Sequence, residues 1–296
     1  MKDPVPPFPH FRKLTLADKE LFVSYFAKNA PETSEYSFTN FYIWRNCDRS
    51  EITSINGNIC ACARPENEPP YFFEPMGGSD IEGTIKICLS HIPRFSRISE
   101  IFMKKYFEGK AGYKIEAIRD HCDYLYATVD LIALKGKRYD GKRNRIKRLL
   151  KNNIPIYQKL TSDMAPDCLK LLNKWGKAKS GGLCFDEPIK EALNNFTELG
   201  VEGAAVRIKG KIEAFTMGEH LNRDTAVVYI EVADPEIDGL SQYINQQFCR
   251  SEWADVTYIN REEDLGNAGL RKAKLSYHPC KLINKYDITI MDERKL

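Results

Sequence analysis

The chain has 296 residues, of which 43% are hydrophobic and 29% charged, and its 44 Lys and Arg slightly outnumber its 41 Asp and Glu. These values exclude a disordered protein and predict a globular one large enough for two domains. The apolar runs are much shorter than the roughly 20 residues that cross a bilayer, and the N-terminal segment lacks the apolar core of a signal peptide. Nine scattered cysteines without zinc spacing predict reduced thiols and no metal site. We therefore expect a cytoplasmic protein.

Two segments, half the chain apart, begin in the same way. Residues 13–18 read KLTLAD and residues 159–163 read KLTSD, and in each a Thr and an Asp precede apolar residues at helical spacing. Both residue types are good helix N-caps, so an amphipathic helix is predicted after each segment. The same strand-to-helix start at the head of each half predicts an internal duplication.

The second half has a clear order of strands and helices. Alternating apolar residues and glycine-containing turns predict the strands, and i, i+3, i+4 spacing predicts the helices. The predicted elements are strands at 203–209, 212–219 and 226–232, a helix from Leu240 to about Trp253, a strand at 256–259, a helix at 269–275 and a strand near 286–291. Antiparallel strands followed by alternating helices and strands predict a mixed α/β domain.

The basic charge of the chain is concentrated in one segment between the halves. Residues 135–151 read KGKRYDGKRNRIKRLLK, with nine Lys and Arg against one Asp. Ile146, Leu149 and Leu150 form an apolar stripe on the predicted helix, which either covers a domain joint or meets an anion on nucleic acid or lipid. The candidate anion-binding residues of this helix are Lys142, Arg143, Arg145, Lys147 and Lys151. The predicted domains are residues 1–134 and 154–296, joined by a basic helical linker at 135–153.

A charged loop follows the predicted strand at 256–259. It contains Arg261, Glu262, Glu263 and Asp264 and leads through two glycines into a helix that contains Arg271, Lys272 and Lys274. In α/β proteins, polar groups at the carboxyl end of a strand commonly bind ligands. The alternative is a solvated loop whose acids and bases complement the two ends of the helix.

Three features together resemble one family. They are the basic segment with Gly136-Lys137-Arg138, the Tyr229-Ile230-Glu231 strand with its Asp-Pro loop, and the tail that runs from Asn260-Arg261-Glu262 to Tyr277-His278-Pro279. They are similar to the catalytic domain of phosphatidylglycerol lysyltransferases, especially its free-standing bacterial relatives. The resemblance implies an α/β (α+β) fold of two tandem GNAT-like acyltransferase domains, each a mixed, mostly antiparallel sheet flanked by helices. It also implies aminoacyl transfer from a charged tRNA to an amine or hydroxyl acceptor, as in the Fem transferases, with lipid as one acceptor class.

Aminoacyl transfer requires a base for the acceptor and a cation for the oxyanion. Candidates for the base, or for binding the donor's α-ammonium, are Glu231, Glu262, Glu263 and Asp264. Candidates for binding the oxyanion or a nearby phosphate are Arg261, Arg271, Lys272 and Lys274, and Tyr277 either donates a proton or packs. An ion pair or a solvated position is the alternative for each of these residues, and the charged loop favours the C-terminal domain as the site.

The expected donor is aminoacyl-tRNA, without a cofactor. An acetyl-CoA enzyme of this fold would hold the pyrophosphate with Arg or Gln and two small residues at the start of the helix after the central strand. Here only Gly239 fits, and Glu236 and Asp238 would repel phosphate. The basic linker predicts a tRNA partner, with an anionic lipid or membrane surface as a second one. Two alternatives remain: a CoA-dependent N-acyltransferase acting on a small amine, and a non-catalytic binding module of the same fold.

Overall fold

The structure is a computed structural model that describes residues 4–178 and 186–291. The described residues form two compact units. The first unit draws on Met1–Asp123, Glu263–Gly266 and Ile283–Leu296, and the second on Tyr124–Glu262 and Asn267–Leu282. Each unit contains one mixed sheet flanked by helices. The predicted fold class is therefore confirmed.

The described chain contains both strands and helices. The strands are β1 (Arg12–Lys13), β2 (Glu51–Ile55), β3 (Asn58–Ala63), β4 (Tyr71–Phe72), β5 (Arg94–Ser99), β6 (Tyr113–Ala117), β7 (Asp123–Ala127), β8 (Ile156–Lys159), β9 (Glu202–Ile208), β10 (Lys211–His220), β11 (Thr225–Ala233), β12 (Tyr258–Asn260), β13 (Lys281–Ile283) and β14 (Lys285–Ile290). The helices are α1 (Lys19–Asn29), α2 (Phe38–Trp44), α3 (Ile81–His91), α4 (Glu100–Tyr106), α5 (Thr128–Ala133), α6 (Asp140–Asn152), α7 (Ala165–Ala178), α8 (Asp186–Asn194), α9 (Phe196–Leu199), α10 (Leu240–Glu252) and α11 (Ala268–Leu275). None of these helices is long and apolar enough to cross a membrane.

The first sheet has the order β1-β2-β3-β4-β5-β14-β6. Only the β4–β5 pair is parallel, and the other pairs are antiparallel. Its core is aromatic: Phe72, Phe95 and Phe107 are each at most 1% exposed and pack with residues of α3 and α4. Burying a large aromatic side chain is among the strongest single contributions to a core, so this unit has a core of its own.

The second sheet has the order β13-β7-β12-β11-β10-β9-β8. Here β11 and β12 are the parallel pair, while the pairs from β8 to β11 and the β7–β12 pair are antiparallel. The β9–β10 turn uses Lys209 and Gly210 in left-handed conformations, with φ of +50° and +81°. The core beneath this sheet contains the buried Tyr124, Tyr126 and Trp253.

When the strand order of the second sheet is read in reverse, β8-β9-β10-β11-β12-β7-β13, it corresponds position by position to the order of the first sheet. The series β1 to β5 then matches β8 to β12, and in each unit the last pair of that series is parallel. In each unit a short 3-10 turn, Leu16–Asp18 or Ser162–Met164, also joins the first strand to its helix. These shared features support the predicted internal duplication.

Each sheet contains one strand from the opposite half of the chain. β14, from the end of the chain, pairs with β5 and β6, whereas β7, from the first half, pairs with β12. The units therefore have bounds that differ from the predicted domains, because backbone pairing assigns β14 to the first sheet. The predicted basic helix is α6, which lies in the second unit with Ile146 and Leu149 buried and Leu150 exposed.

Gly239 begins α10 where α6 approaches most closely. Its φ is +87°, and a Cβ at this position would collide with the carbonyl oxygen of Arg145 on α6. We expect Gly239→Ala to destabilise the protein by about 2 kcal/mol or more, because both the conformation and the close approach exclude a side chain. Denaturant unfolding measures the loss. The matched control is Gly141→Ala, since Gly141 lies in α6 with open space around its Cα, and an equal loss in both variants would contradict the packing described.

Candidate functional site

Five residues of the second unit form a polar group beside the core that contains Tyr126. We call them the Arg261 cluster: Glu231, on β11; Arg261, directly after β12; Lys142, on α6; Asn245, on α10; and Tyr277, just after α11. The parallel pairing of Val227 with Asn260 places the end of β12 beside the first part of β11. The side chain of Arg261 therefore reaches Glu231, which lies further along β11.

An ion pair joins Arg261 to Glu231. Arg261 Nη2 lies 3.2 and 3.1 Å from the two carboxylate oxygens of Glu231, and Asn245 Nδ2 donates to Oε2 of Glu231 at 3.1 Å. The Arg261 and Glu231 side chains are 12% and 17% exposed. Burial opposes the charge on Arg261, but Glu231 acting together with Tyr126, Tyr277 and Cys249 outweighs burial, so the pKa of Arg261 lies above its ordinary value. Arg261 is therefore a permanent cation held by a carboxylate.

Two atoms of the cluster lack a hydrogen-bond partner among the described residues. They are Arg261 Nη1, a donor, and Asn245 Oδ1, an acceptor, and both are buried. Nearly all buried polar atoms in proteins are hydrogen-bonded, and exceptions commonly mark a ligand or water position. The cluster therefore offers an unused donor and an unused acceptor.

Aromatic rings surround the two cations. The guanidinium of Arg261 lies 4.9 Å from the ring centroid of Tyr277 and 5.8 Å from that of Tyr126, and Lys142 Nζ lies 3.9 Å from the Tyr277 centroid. The backbone of this region is fixed because Tyr126 donates to the carbonyl of Lys274 at 2.8 Å and Tyr139 to that of Tyr277 at 2.9 Å. Burial raises the pKa of Tyr277, so its phenol stays neutral and its ring stabilises both cations.

Lys142 has the chemistry of a base. Its Nζ donates to Ser276 Oγ at 2.6 Å. Burial lowers its pKa to about 8, the positive charges of Arg261 and Arg145 act in the same direction, and Glu231 opposes them. An amine that titrates near neutral pH both accepts and donates a proton readily. The sequence placed Lys142 among phosphate-binding residues, whereas the structure places it in the Arg261 cluster.

Lys274 supports the loop that carries Arg261. Its ammonium is buried and donates to the backbone carbonyls of Arg261 and Glu262, the latter at 3.1 Å. This position differs from the expected cationic face shared with Arg271, because Lys274 points into its own loop. Arg271 is partly exposed on α11, and Lys272 is exposed.

The three acids of the charged loop have separate environments. Glu262 has a φ of +55° and lies in the second unit. Glu263 and Asp264 belong to the first unit, where Glu263 lies 3.2 Å from Lys285 Nζ and Asp264 accepts from the backbone N–H of Gly266. Asp264 is fully buried and also pairs with Arg119 at 3.3 Å. The structure therefore does not bring Glu263 and Asp264 into the Arg261 cluster, and it gives Asp264 a structural position.

The other basic residues of α6 divide into two groups. Arg143 donates to the backbone carbonyls of Leu134 and Gly136 and pairs with Asp140, and Arg145 pairs with Asp238 at 3.6 Å. Lys147 and Lys151 are exposed, and no ion pair joins either of them to a described residue. Lys147 and Lys151 are therefore the exposed cations of α6 without a carboxylate partner among the described residues.

Sequence reasoning missed Asn245, Ser276 and Tyr126. Asn245 is 2% exposed and follows the buried Ile244 on the sheet-facing side of α10. A polar residue on an apolar helix face was the signal that could have identified it, since a buried amide requires a partner. Ser276 and Tyr126 carried no such signal.

Comparison with known proteins identifies the family. A model of the family described as "Phosphatidylglycerol lysyltransferase, C-terminal" matches residues 26–289. The chain belongs to this family. It is 29% identical to a conserved protein of unknown function from Bacteroides thetaiotaomicron. The match to the crystal structure of that protein covers 95% of this chain and 99% of the other chain, with a TM-score of 0.85. The structure of L-PGS from Bacillus licheniformis shares the fold, with 14% identity, coverage of 99% and 95%, and a TM-score of 0.64.

A curated relative from Mycoplasmoides gallisepticum, an uncharacterised protein, is 24% identical over 191 residues. That match covers 62% of this chain and 61% of the relative, so the chain spans less than two thirds of the relative's length. The family assignment confirms the resemblance read from the sequence.

The charges around Lys142 predict how its titration responds to substitution. We expect its amine to titrate near pH 8. Glu231→Gln removes a negative charge and lowers this pKa further, whereas Arg261→Gln removes a positive charge and raises it. Carbon-13 NMR of the lysine Cε groups measures the titration, and Lys142→Arg identifies the signal. A pKa that neither substitution moves would contradict the cluster geometry.

Proposed function

We propose that the chain is an aminoacyl-tRNA-dependent aminoacyltransferase and that the Arg261 cluster is its catalytic centre. The carrying observation is the buried Nη1 of Arg261, which has no hydrogen-bond partner among the described residues, in the same cluster as the Lys142 amine. Membership of a lysyltransferase family supports the reaction class. The acceptor is an amine or a hydroxyl, with lipid as one class.

Each residue of the cluster has a distinct role in this reaction. The acceptor's nitrogen or oxygen attacks the carbonyl carbon of the aminoacyl ester, and the carbonyl oxygen gains negative charge. Arg261 Nη1 donates to that oxyanion, while Glu231 and Asn245 hold the guanidinium in place. Neutral Lys142 accepts the proton of the acceptor, the ester C–O bond breaks, and the proton passes to the leaving ribose hydroxyl.

The donor's nucleic acid has a matching surface on α6. Lys147 and Lys151 are exposed one helical turn apart, and each neutralises one backbone phosphate without reading sequence. An anionic lipid surface offers the same phosphate chemistry. We assign the α6 lysines to tRNA because an aminoacyl ester is the substrate that the Arg261 cluster fits.

Coenzyme A fits the second unit less well. The start of α10, where acyltransferases of this fold bind pyrophosphate, carries Asp238, which pairs with Arg148 at 2.8 Å. Gly239 packs against the backbone of α6, and Glu236 pairs with Lys174 at 2.9 Å. A pyrophosphate would have to displace α6 and approach two carboxylates. These contacts support a donor other than CoA.

A transfer assay tests the proposed reaction. Purified protein is incubated with pools of radiolabelled aminoacyl-tRNA and with amine or lipid extracts. We expect label to move from tRNA to an acceptor, and Arg261→Lys to lower the rate on the order of 10²–10³-fold, because lysine keeps a charge for Glu231 but cannot supply the Nη1 donor. The control is Lys110→Ala, because Lys110 forms an exposed ion pair with Glu82 in the first unit. Heat stabilisation by CoA with none by tRNA would contradict the proposal.

Salt dependence tests the tRNA surface separately. We expect a Lys147→Ala and Lys151→Ala double variant to bind tRNA more weakly and to lower the slope of log affinity against log salt by roughly 1.4–1.8, because each neutralised phosphate contributes about 0.7–0.9 to that slope. The control is Lys86→Ala with Lys211→Ala, which removes two exposed lysines elsewhere. Equal slopes in the two double variants would remove α6 from the tRNA-binding surface.

A further inference from the structure

The first unit contains a cavity with acidic and aromatic walls. Its volume is about 60 Å³, and its lining includes the carboxylates of Glu35, Asp48 and Glu263 and the rings of Phe41 and Trp44. One water needs roughly 10–15 Å³ on the same measure. The cavity therefore has room for a group of a few heavy atoms, and is too small for a nucleotide.

The fully buried Lys285 forms ion pairs with two of the acids that line the cavity, Glu35 and Glu263. Lys285 Nζ lies 2.5 Å from Glu35 Oε1, 2.6 Å from Asp123 Oδ1 and 3.2 Å from Glu263 Oε2. One ammonium thus serves three carboxylates. Lys285 meets Glu35 only through Oε1, so the other carboxylate oxygen of Glu35 takes no part in this ion pair.

The second carboxylate oxygen of Glu35 makes no hydrogen bond to a described residue. Glu35 is 6% exposed, and its Oε2 is buried without a hydrogen-bond partner in the described residues. Asp48, on the same cavity, makes no ion pair with a described residue. A buried carboxylate oxygen without a hydrogen-bond partner destabilises the protein. A cationic ligand at this wall would remove that destabilisation.

The cavity also offers one donor. Arg97 lines it, with Nη2 bound to Glu68 at 3.0 Å and Nη1 buried without a partner among the described residues. A ligand that carries a carbonyl or carboxylate beside its cation would find a hydrogen-bond donor here.

We propose that this cavity binds the primary ammonium group of a small amine or amino acid, held between the Glu35 and Asp48 carboxylates with Phe41 and Trp44 as cation–π walls. The ammonium belongs either to a simple amine or to an amino acid whose carboxylate reaches Arg97. This site lies wholly within the first unit, and its existence does not depend on the reaction assigned to the Arg261 cluster.

Titration of the cavity supports this chemistry. Burial raises the pKa of Glu35 to about 8; Lys285 lowers it, and Asp123 and Glu263 raise it. Burial likewise raises the pKa of Asp48 to about 6, against the opposing charge of Arg97. Burial lowers the pKa of the nearby His121, which favours its neutral form. At neutral pH Glu35 therefore holds a proton in the absence of a second cation.

Calorimetry of the whole protein in amine-free phosphate buffer tests the site, with ethylamine, glycine and acetate as probes. We expect ethylamine and glycine to bind at millimolar concentration or better and acetate not to bind. Asp48→Asn, which leaves the Lys285 ion pairs intact, should weaken ammonium binding at least tenfold, and so should Glu35→Gln, while Glu108→Gln, an exposed acid of the same unit, should not. Tighter binding of glycine than of ethylamine identifies an amino acid, and the reverse order identifies a simple amine.

The pH dependence gives a second readout. Because the ammonium needs the ionised form of Glu35, we expect affinity for ethylamine to rise about tenfold or more between pH 6.5 and 8.5 and this rise to vanish in Glu35→Gln. Absence of ethylamine and glycine binding at 50 mM would overturn the proposal, because roughly that concentration already exceeds what a ligand of three to five heavy atoms requires in a matched site. Binding that neither Glu35→Gln nor Asp48→Asn weakens would overturn it equally.

Discussion

Three residues of parallel pairing, from Thr225 with Tyr258 to Val227 with Asn260, determine where Arg261 leaves the second sheet. That short ladder brings the guanidinium to Glu231 on the neighbouring strand. Glu231 then holds Nη2, the rings of Tyr126 and Tyr277 flank the cation, and the charge of Arg261 helps to lower the pKa of Lys142. The position of Arg261 within the candidate site therefore follows from how β12 meets β11.

The Arg261–Glu231 ion pair is better explained by function than by stability. Replacing a buried ion pair with apolar residues of similar volume is often neutral or stabilising, although removing one partner costs about 3–5 kcal/mol. Here the pair leaves Nη1 of Arg261 unused in the interior, which adds the cost of a donor without a partner. In return for this loss of stability, the guanidinium of Arg261 is held in one direction and is partly shielded from water. Stabilisation of an oxyanion requires such a fixed, shielded donor.

Local patterns predicted most of the elements in the second half of the chain. The observed β9, β10, α10 and α11 lie within a residue or two of their predicted bounds, because alternation, turn glycines and helical spacing act over neighbouring residues. The placement of β14 in the first sheet was not predicted, since its partners β5 and β6 are far away in sequence. Distance along the chain also concealed Lys285, whose carboxylate partner Glu35 is 250 residues away. The four charges Arg261 to Asp264 read as one loop, but left-handed residues such as Glu262 turn the chain, and Glu263 belongs to the other unit.

The most direct test of the central claim is a crystal structure of the protein with a hydrolysis-resistant 3′-aminoacylamido analogue of the tRNA terminal adenosine. An amide replaces the ester, so the reacting carbonyl remains in place without being cleaved. We predict that its carbonyl oxygen accepts a hydrogen bond from Arg261 Nη1, at the distance typical of charge-assisted bonds. An analogue bound with its carbonyl elsewhere, and with Nη1 still lacking a partner, would contradict the assignment of the Arg261 cluster as the catalytic centre.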